Sequence, residues 1–111
     1  MFEIAPEEME EAQRRILAEF TRNGIDPQRV RMIPRLEQSS FWALHREIDI
    51  AFDGFPCNGG TTSCETLWLG VPVVTLAGDV FLARVGLSLL STIGLQELVA
   101  RSEDEFVALA A

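Results

Sequence analysis

Asn58, Gly59, Gly60, Thr61 and Thr62 stand in one uninterrupted run, with Glu65 three residues further on. Adjacent glycines let the backbone take positive φ and leave no side chain between main chain and ligand. Two threonines at the start of a helix would add hydroxyls to unpaired amides and the positive dipole end. That combination suits a phosphate group. A carboxylate one turn further in could accept from sugar hydroxyls at the same mouth. The same spacing also serves a plain capped turn between strand and helix, so the pattern alone leaves both open.

Such a loop needs a strand before it and a helix after it. Residues 50–52 form a short β-rich run closed by Asp53, and GFPCNGG over 54–60 is turn-forming. A helix-compatible run then reaches Trp68 and Leu69, Gly70 stops it, and PVVTL over 72–76 reads as a second strand. Strand, glycine loop, helix and strand make a βαβ unit, which implies an α/β fold with a parallel sheet and right-handed crossovers. Asp53, at the end of the first strand, is placed to fix the loop by accepting backbone N–H bonds rather than to act as a base.

The run NGGTTSCETLWLGVPVVTLAG, preceded by DIAFDGFPC, resembles the C-terminal half of the O-linked N-acetylglucosamine transferase family. That family includes bacterial relatives, often fused to tetratricopeptide repeats, and plant SPINDLY-type proteins. The similarity runs from about Glu11 to Ala110. It implies a Rossmann-like three-layer domain, the C-terminal half of a GT-B glycosyltransferase, in which a UDP-sugar donor binds mostly to this half. Carried over by position, Arg35 and Leu36 would offer backbone groups to the uracil base, Gln38 would lie near the ribose, and Phe41 beside the uracil ring. Gly59, Gly60, Thr61 and Thr62 would hold the diphosphate, and Glu65 stands where an aspartate contacts the ribose.

Three departures from the family stand out. Gln38 replaces a lysine, Phe41 a histidine, and Gly60 a histidine found in the animal enzymes. The resemblance implies an inverting, metal-independent transfer of N-acetylglucosamine from UDP to Ser or Thr of a protein acceptor. No cofactor is expected, and the loop has no carboxylate pair such as DxD to hold a metal. Catalytic residues on the acceptor side would lie in an N-terminal half, with tetratricopeptide repeats, outside this chain. The isolated chain is therefore expected to be inactive. Two other readings stay open: a donor domain from another GT-B glycosyltransferase, or a Rossmann-like interaction module that has lost its ligand.

Along the rest of the chain, residues 7–23 read as a helix with acids early and arginines late, and with Met9, Ala12, Ile16 and Phe20 at helical spacing. Gly24 is its stop. Asp26-Pro27 breaks the chain, 30–33 read as a strand, and a helix over 40–46 is expected, capped by Ser39 or Ser40. Phe41 and Trp42 are either an aromatic pair packed into the core or, for Phe41, a base-stacking face. His45 is read as structural or exposed rather than catalytic. A helix is expected over 80–92, with Arg84 either near the donor or paired with Asp79 or Glu97. A short strand follows over 97–100, then a last helix with capping-box spacing from Ser102 to Glu105.

The 111 residues fit one domain spanning 1–111, with 1–8 disordered or extraneous to it. A net charge of −8, with arginine as the only basic residue type besides one histidine, argues against nucleic-acid binding. It also means that any anion must be held by amides, hydroxyls and single arginines. No apolar run approaches membrane-spanning length and the start is acidic, so no membrane partner and a cytoplasmic setting are expected. Cys57 and Cys64 lack the companions of a zinc site and are expected as reduced thiols.

Overall fold

The structure is a computed structural model that describes residues 6–111. The chain divides into two compact units, Met1–Leu36 and Glu37–Ala111. Residues 1–5, most of the segment expected to be disordered, lie outside the described residues, while Pro6, Glu7 and Glu8 open a helix.

In the first unit, helix α1 spans Pro6–Arg22, with proline at its start, Glu7 and Glu8 in the first turn and Arg22 in the last. Two exposed i,i+3 ion pairs decorate it, Arg14–Glu11 at 2.8 Å and Arg22–Glu19 at 2.7 Å. Gly24 (φ +78°) ends it as expected, with the Asn23 amide folded back onto the Glu19 carbonyl. Met9, Ile16 and Phe20, the apolar stripe, remain exposed. Asp26 then caps a 3-10 turn, Pro27–Arg29, by accepting from the Gln28 amide at 2.9 Å. The strand expected over 30–33 is absent. Val30 is extended, but the described residues give this segment no ladder partner. β-branched composition makes a strand only where an edge is offered.

The second unit holds the sheet. Strands β1 (Ala51–Phe52), β2 (Val73–Leu76) and β3 (Val99–Ala100) run parallel in the order β1-β2-β3. Ala51 faces Val73 and Phe52 faces Val74, while Thr75 faces Val99 and Leu76 faces Ala100. Successive residues of a strand point to opposite faces. Val73, Val74 and Thr75 are all buried, so both faces of β2 are covered, as a parallel sheet between two helical layers requires. The expected Rossmann-like α/β fold is present. Helices α3 (Thr61–Trp68), α4 (Val85–Thr92) and α5 (Glu103–Ala110) all pack on β2, and α2 (Gln38–Leu44) precedes β1. Leu90, Ala83, Val71, Val99 and Ala100 complete the core around β2.

Several boundaries differ from expectation. Helix α2 starts earlier than predicted. Its N-cap is Glu37, which makes no side-chain cap bond, and both serines fall inside the first turn. The helix expected over 80–92 is broken into a 3-10 turn, Phe81–Ala83, and α4, with Arg84 (φ −126°, ψ 2°) between them. The cause is competition for carbonyls. The Leu82 oxygen accepts from the Asn58 amide at 2.8 Å and the Ala83 oxygen from the Gly78 amide at 2.9 Å. A continuous helix would need both oxygens for its own ladder. Before β3 the chain turns through a 3-10 segment, Gln96–Leu98, which shortens the expected strand to its last two residues.

Helix α5 opens with Ser102 accepting from the Glu105 amide at 3.2 Å. The Glu105 carboxylate in return takes the Arg101 amide at 2.7 Å, one residue earlier than a regular capping box. Among the described residues no helix is long and apolar enough to cross a membrane.

Gly86, in the first turn of α4, is demanded by close approach. A Cβ there would collide with Thr75 Oγ1 and with Asp53 Oδ2. Gly86→Ala should therefore destabilise the domain by about 1–3 kcal/mol, the usual cost of overpacking. At Gly60 an added Cβ meets nothing within 4 Å, so Gly60→Ala should cost clearly less. Parallel chemical denaturation of the two variants checks this ordering.

Candidate functional site

The glycine loop is held by one carboxylate. At the end of β1, Asp53 Oδ1 accepts from the Gly59 amide at 2.7 Å and the Gly54 amide at 3.0 Å, with Ser63 Oγ at 3.5 Å. Its other oxygen, Oδ2, accepts from the fully buried Thr75 hydroxyl on β2 at 2.9 Å. The expected role of Asp53, fixing the loop through backbone N–H groups, is what the structure shows. Gly59 is pressed onto this anchor, since a Cβ there would lie 2.5 Å from Ser63 Oγ and 3.4 Å from Asp53 Oδ1.

Asn58 is the second fastening. Its Nδ2 donates to the Gly54 carbonyl at 2.8 Å and its Oδ1 accepts from the Gly86 amide at 3.1 Å. The loop, which contains a cis Phe55–Pro56 peptide, is thereby tied to itself, to β2 and to α4. Sequence reasoning missed Asn58, Thr75 and Gly86 as supports. A hydroxyl inside the apolar strand VVTL was the available signal, because a buried Thr needs a partner.

The loop presents the start of α3. Gly60 is its N-cap, with no side-chain cap bond. The Cys64 amide closes the first turn onto the Gly60 carbonyl at 3.0 Å. Thr61 and Thr62 are exposed there, while Ser63 turns inward to Asp53. Amides of a helix's first turn have no intrahelical acceptor, and the dipole adds a partial positive charge. Chemically, this end can receive an anion.

Glu65 lies one turn on, half-buried, and its Oε1 accepts from Gln38 Nε2 at 2.7 Å. Gln38 is the first residue of α2. The other end of that helix is also fastened to α3, through His45, whose Nε2 lies 3.1 Å from Thr66 Oγ1 and whose Nδ1 lies 2.8 Å from the Phe41 carbonyl. That carbonyl only accepts, so Nδ1 carries a proton. His45 is buried, not exposed, and its ring bridges the Phe41 carbonyl and Thr66. Phe41 is half-buried with its ring near-perpendicular to His45, centroids 4.6 Å apart. Trp42 diverges from it and lines a groove of about 330 Å³ with Cys64, Glu65, Trp68 and Leu69.

Of the residues singled out in the sequence, Gln38, Phe41, Gly59, Gly60, Thr61, Thr62 and Glu65 all belong to the second unit, and one direct bond joins Gln38 to Glu65. Arg35 and Leu36 belong to the first unit. Arg84 is a correction. It pairs with neither Asp79 nor Glu97 but donates to the Gly78 carbonyl at 2.8 Å, bracing the turn after β2. Among the described residues, no three His, Cys, Asp or Glu side chains are grouped so that they could hold a metal ion. Removing the Asp53 carboxylate orphans the Gly59 amide and the Thr75 hydroxyl together. Asp53→Ala should cost roughly 2–4 kcal/mol, whereas Asp53→Asn, which keeps one acceptor and can donate to Thr75, should cost less; thermal or urea unfolding measures both.

The family model described as glycosyl transferase family 41 matches residues 7–111. A Petunia hybrida protein named as a probable UDP-N-acetylglucosamine–peptide N-acetylglucosaminyltransferase SPINDLY is 46% identical over 99 residues, 88% of this chain and 11% of that protein. The Caenorhabditis elegans UDP-N-acetylglucosamine–peptide N-acetylglucosaminyltransferase is 33% identical over 87 residues, 78% of this chain and 8% of its own length. A solved mutant O-GlcNAc transferase from Thermobaculum terrenum superposes with a TM-score of 0.84 at 38% identity, covering 88% of this chain and 19% of that one. The chain thus spans about a tenth of the length of the curated relatives it matches. With a match across nearly all of its residues and the same fold as a solved relative, the chain belongs to glycosyl transferase family 41.

Proposed function

We propose that this domain binds the UDP-sugar donor of an inverting, metal-independent glycosyltransferase that moves N-acetylglucosamine to Ser or Thr hydroxyls of proteins. The observation that carries the proposal is the Asp53-anchored loop, which sets the uncapped start of α3, with Thr61 and Thr62 exposed, in a fixed position. When the sugar C1–O bond breaks, negative charge builds on the departing diphosphate. Donors already aimed at that charge stabilise it without reorganising. In this scheme the α3 amides and the two hydroxyls do that work, so no metal is called on to neutralise the leaving group. Glu65 would accept from the ribose hydroxyls, Gln38 would lie beside them, and Phe41 next to the uracil.

The acceptor-side residues are assigned to an N-terminal half, with tetratricopeptide repeats, of a longer cytoplasmic parent. The relatives' far greater length supports that assignment.

Titration of the isotopically labelled chain with UDP tests the donor site, with uridine and pyrophosphate as controls. Half of a cleft should bind weakly, near ~1 mM or about 4 kcal/mol. Amide shifts should cluster at residues 59–65 and 38–41. Shifts scattered elsewhere, or none at several millimolar even after the other half is added back, would defeat the proposal. The chain alone should transfer no radiolabelled sugar from a UDP-sugar to a protein acceptor; measurable transfer would contradict the assignment of catalysis to the other half.

A further inference from the structure

We propose that Gln38 is a positioning residue that acts through Glu65: its amide holds one carboxylate oxygen so that the other accepts from the vicinal diol of the donor's ribose. The inference rests on the donor-site proposal and adds to it the part played by the Gln38–Glu65 bond.

Glu65 sits four residues after Thr61 and three after Thr62, so all three share one face of α3. Four residues of helix rise about 6 Å. A ribose joined directly to a diphosphate falls at that distance when the phosphates rest on the first-turn amides. Yet a carboxylate so close to a diphosphate, in a chain of net charge −8, is repelled by the anion it must sit beside. Left free, its three side-chain torsions would carry it away from the ligand and toward water.

The 2.7 Å bond from Gln38 Nε2 to Glu65 Oε1 removes that freedom. It is charge-assisted, and the half-burial of Glu65 shields it in part from competing water. Gln38 is itself held, because α2 is tied to α3 again through His45 and Thr66 at 3.1 Å. With Oε1 occupied, Oε2 keeps its lone pairs for the diol. Because glutamine adds no charge, it sets the direction of the carboxylate without strengthening the pull on phosphate. The signature of this device is therefore selectivity for the sugar rather than affinity for the anion.

The test is a set of titrations of the 111-residue chain with UDP, 2′-deoxy-UDP and pyrophosphate, followed by amide shifts. The unsubstituted chain should bind UDP tighter than 2′-deoxy-UDP by roughly five-fold, the net scale of one ordinary hydrogen bond in water. Gln38→Leu should bring the two within about two-fold of each other while leaving pyrophosphate binding unchanged. Glu65→Ala should collapse the ratio likewise, and adding Gln38→Leu to it should change nothing further, as expected when one residue acts through the other. Gln38→Lys, which keeps a donor, should restore the preference.

A preserved ratio in Gln38→Leu overturns the inference, as do additive effects in the double variant, which would mean that Gln38 meets the sugar itself. UDP binding with no preference over the deoxy ligand removes the diol contact but leaves the donor site standing. Failure of UDP and pyrophosphate alike, even after the other half is added back, removes both. Gln38 is exposed, so the variants should fold, and Gln38→Ser provides a second removal of the amide if Gln38→Leu loses spectral dispersion.

Discussion

The Asp53 carboxylate is the constraint on which the second unit depends. Its two oxygens gather groups from four places in the chain: the loop amides of Gly54 and Gly59, the first turn of α3 through Ser63, and β2 through Thr75. Close approach of α4 completes the cluster, since Gly86 has room for no Cβ beside Asp53 and Thr75. An ionised carboxylate with several donors is strongly bound, and each donor would be costly if orphaned. One side chain thus sets loop conformation, helix position and sheet contact together.

Position explains why this cluster coincides with the candidate site. In open parallel sheets, loops at the carboxyl ends of strands form the binding crevice. β1 has two residues and β3 two, so the sheet alone offers little ladder energy. Polar bonds at the strand ends, backed by the buried Val73, Val74 and Thr75 of β2, supply the rigidity that longer strands would otherwise give. Preorganised donors are useful for catalysis only if they are held before charge develops. Here Asp53, Asn58 and Thr75 hold the loop through bonds within the protein alone.

Much of this was legible in the sequence, and the part that was not has a common cause. The βαβ unit was readable because Asp53, the glycine pair and Gly70 punctuate it locally. Asp53 itself was assigned correctly from its place after a strand and before a glycine loop. The strand expected over 30–33 failed because its composition favours extension but no neighbour pairs with it. The break at Arg84 was invisible for the opposite reason. Asn58, far away in sequence, and the nearer Gly78 claim carbonyls that a helix would have used. The Gln38–Glu65 bond joins two positions singled out for the same sugar, yet nothing in a linear pattern shows that they touch across 27 residues.

The two glycines of the loop answer to different demands. Gly59 is fixed by geometry, since its Cβ position is already filled by Ser63 and Asp53. Gly60 has open space around the same position and a negative φ of −106°, so packing places no such demand on it. What a bare residue does there is leave the α3 amides uncovered. The resemblance places a histidine at this point in animal members of the family, and the open space here would admit a side chain. Without one, the start of α3 carries no imidazole, and the groups it offers are the amides and the exposed Thr61 and Thr62. Dipoles held in place by a carboxylate that faces inward can do this in a chain of net charge −8, because their orientation, unlike a mobile cation, is set before the ligand arrives.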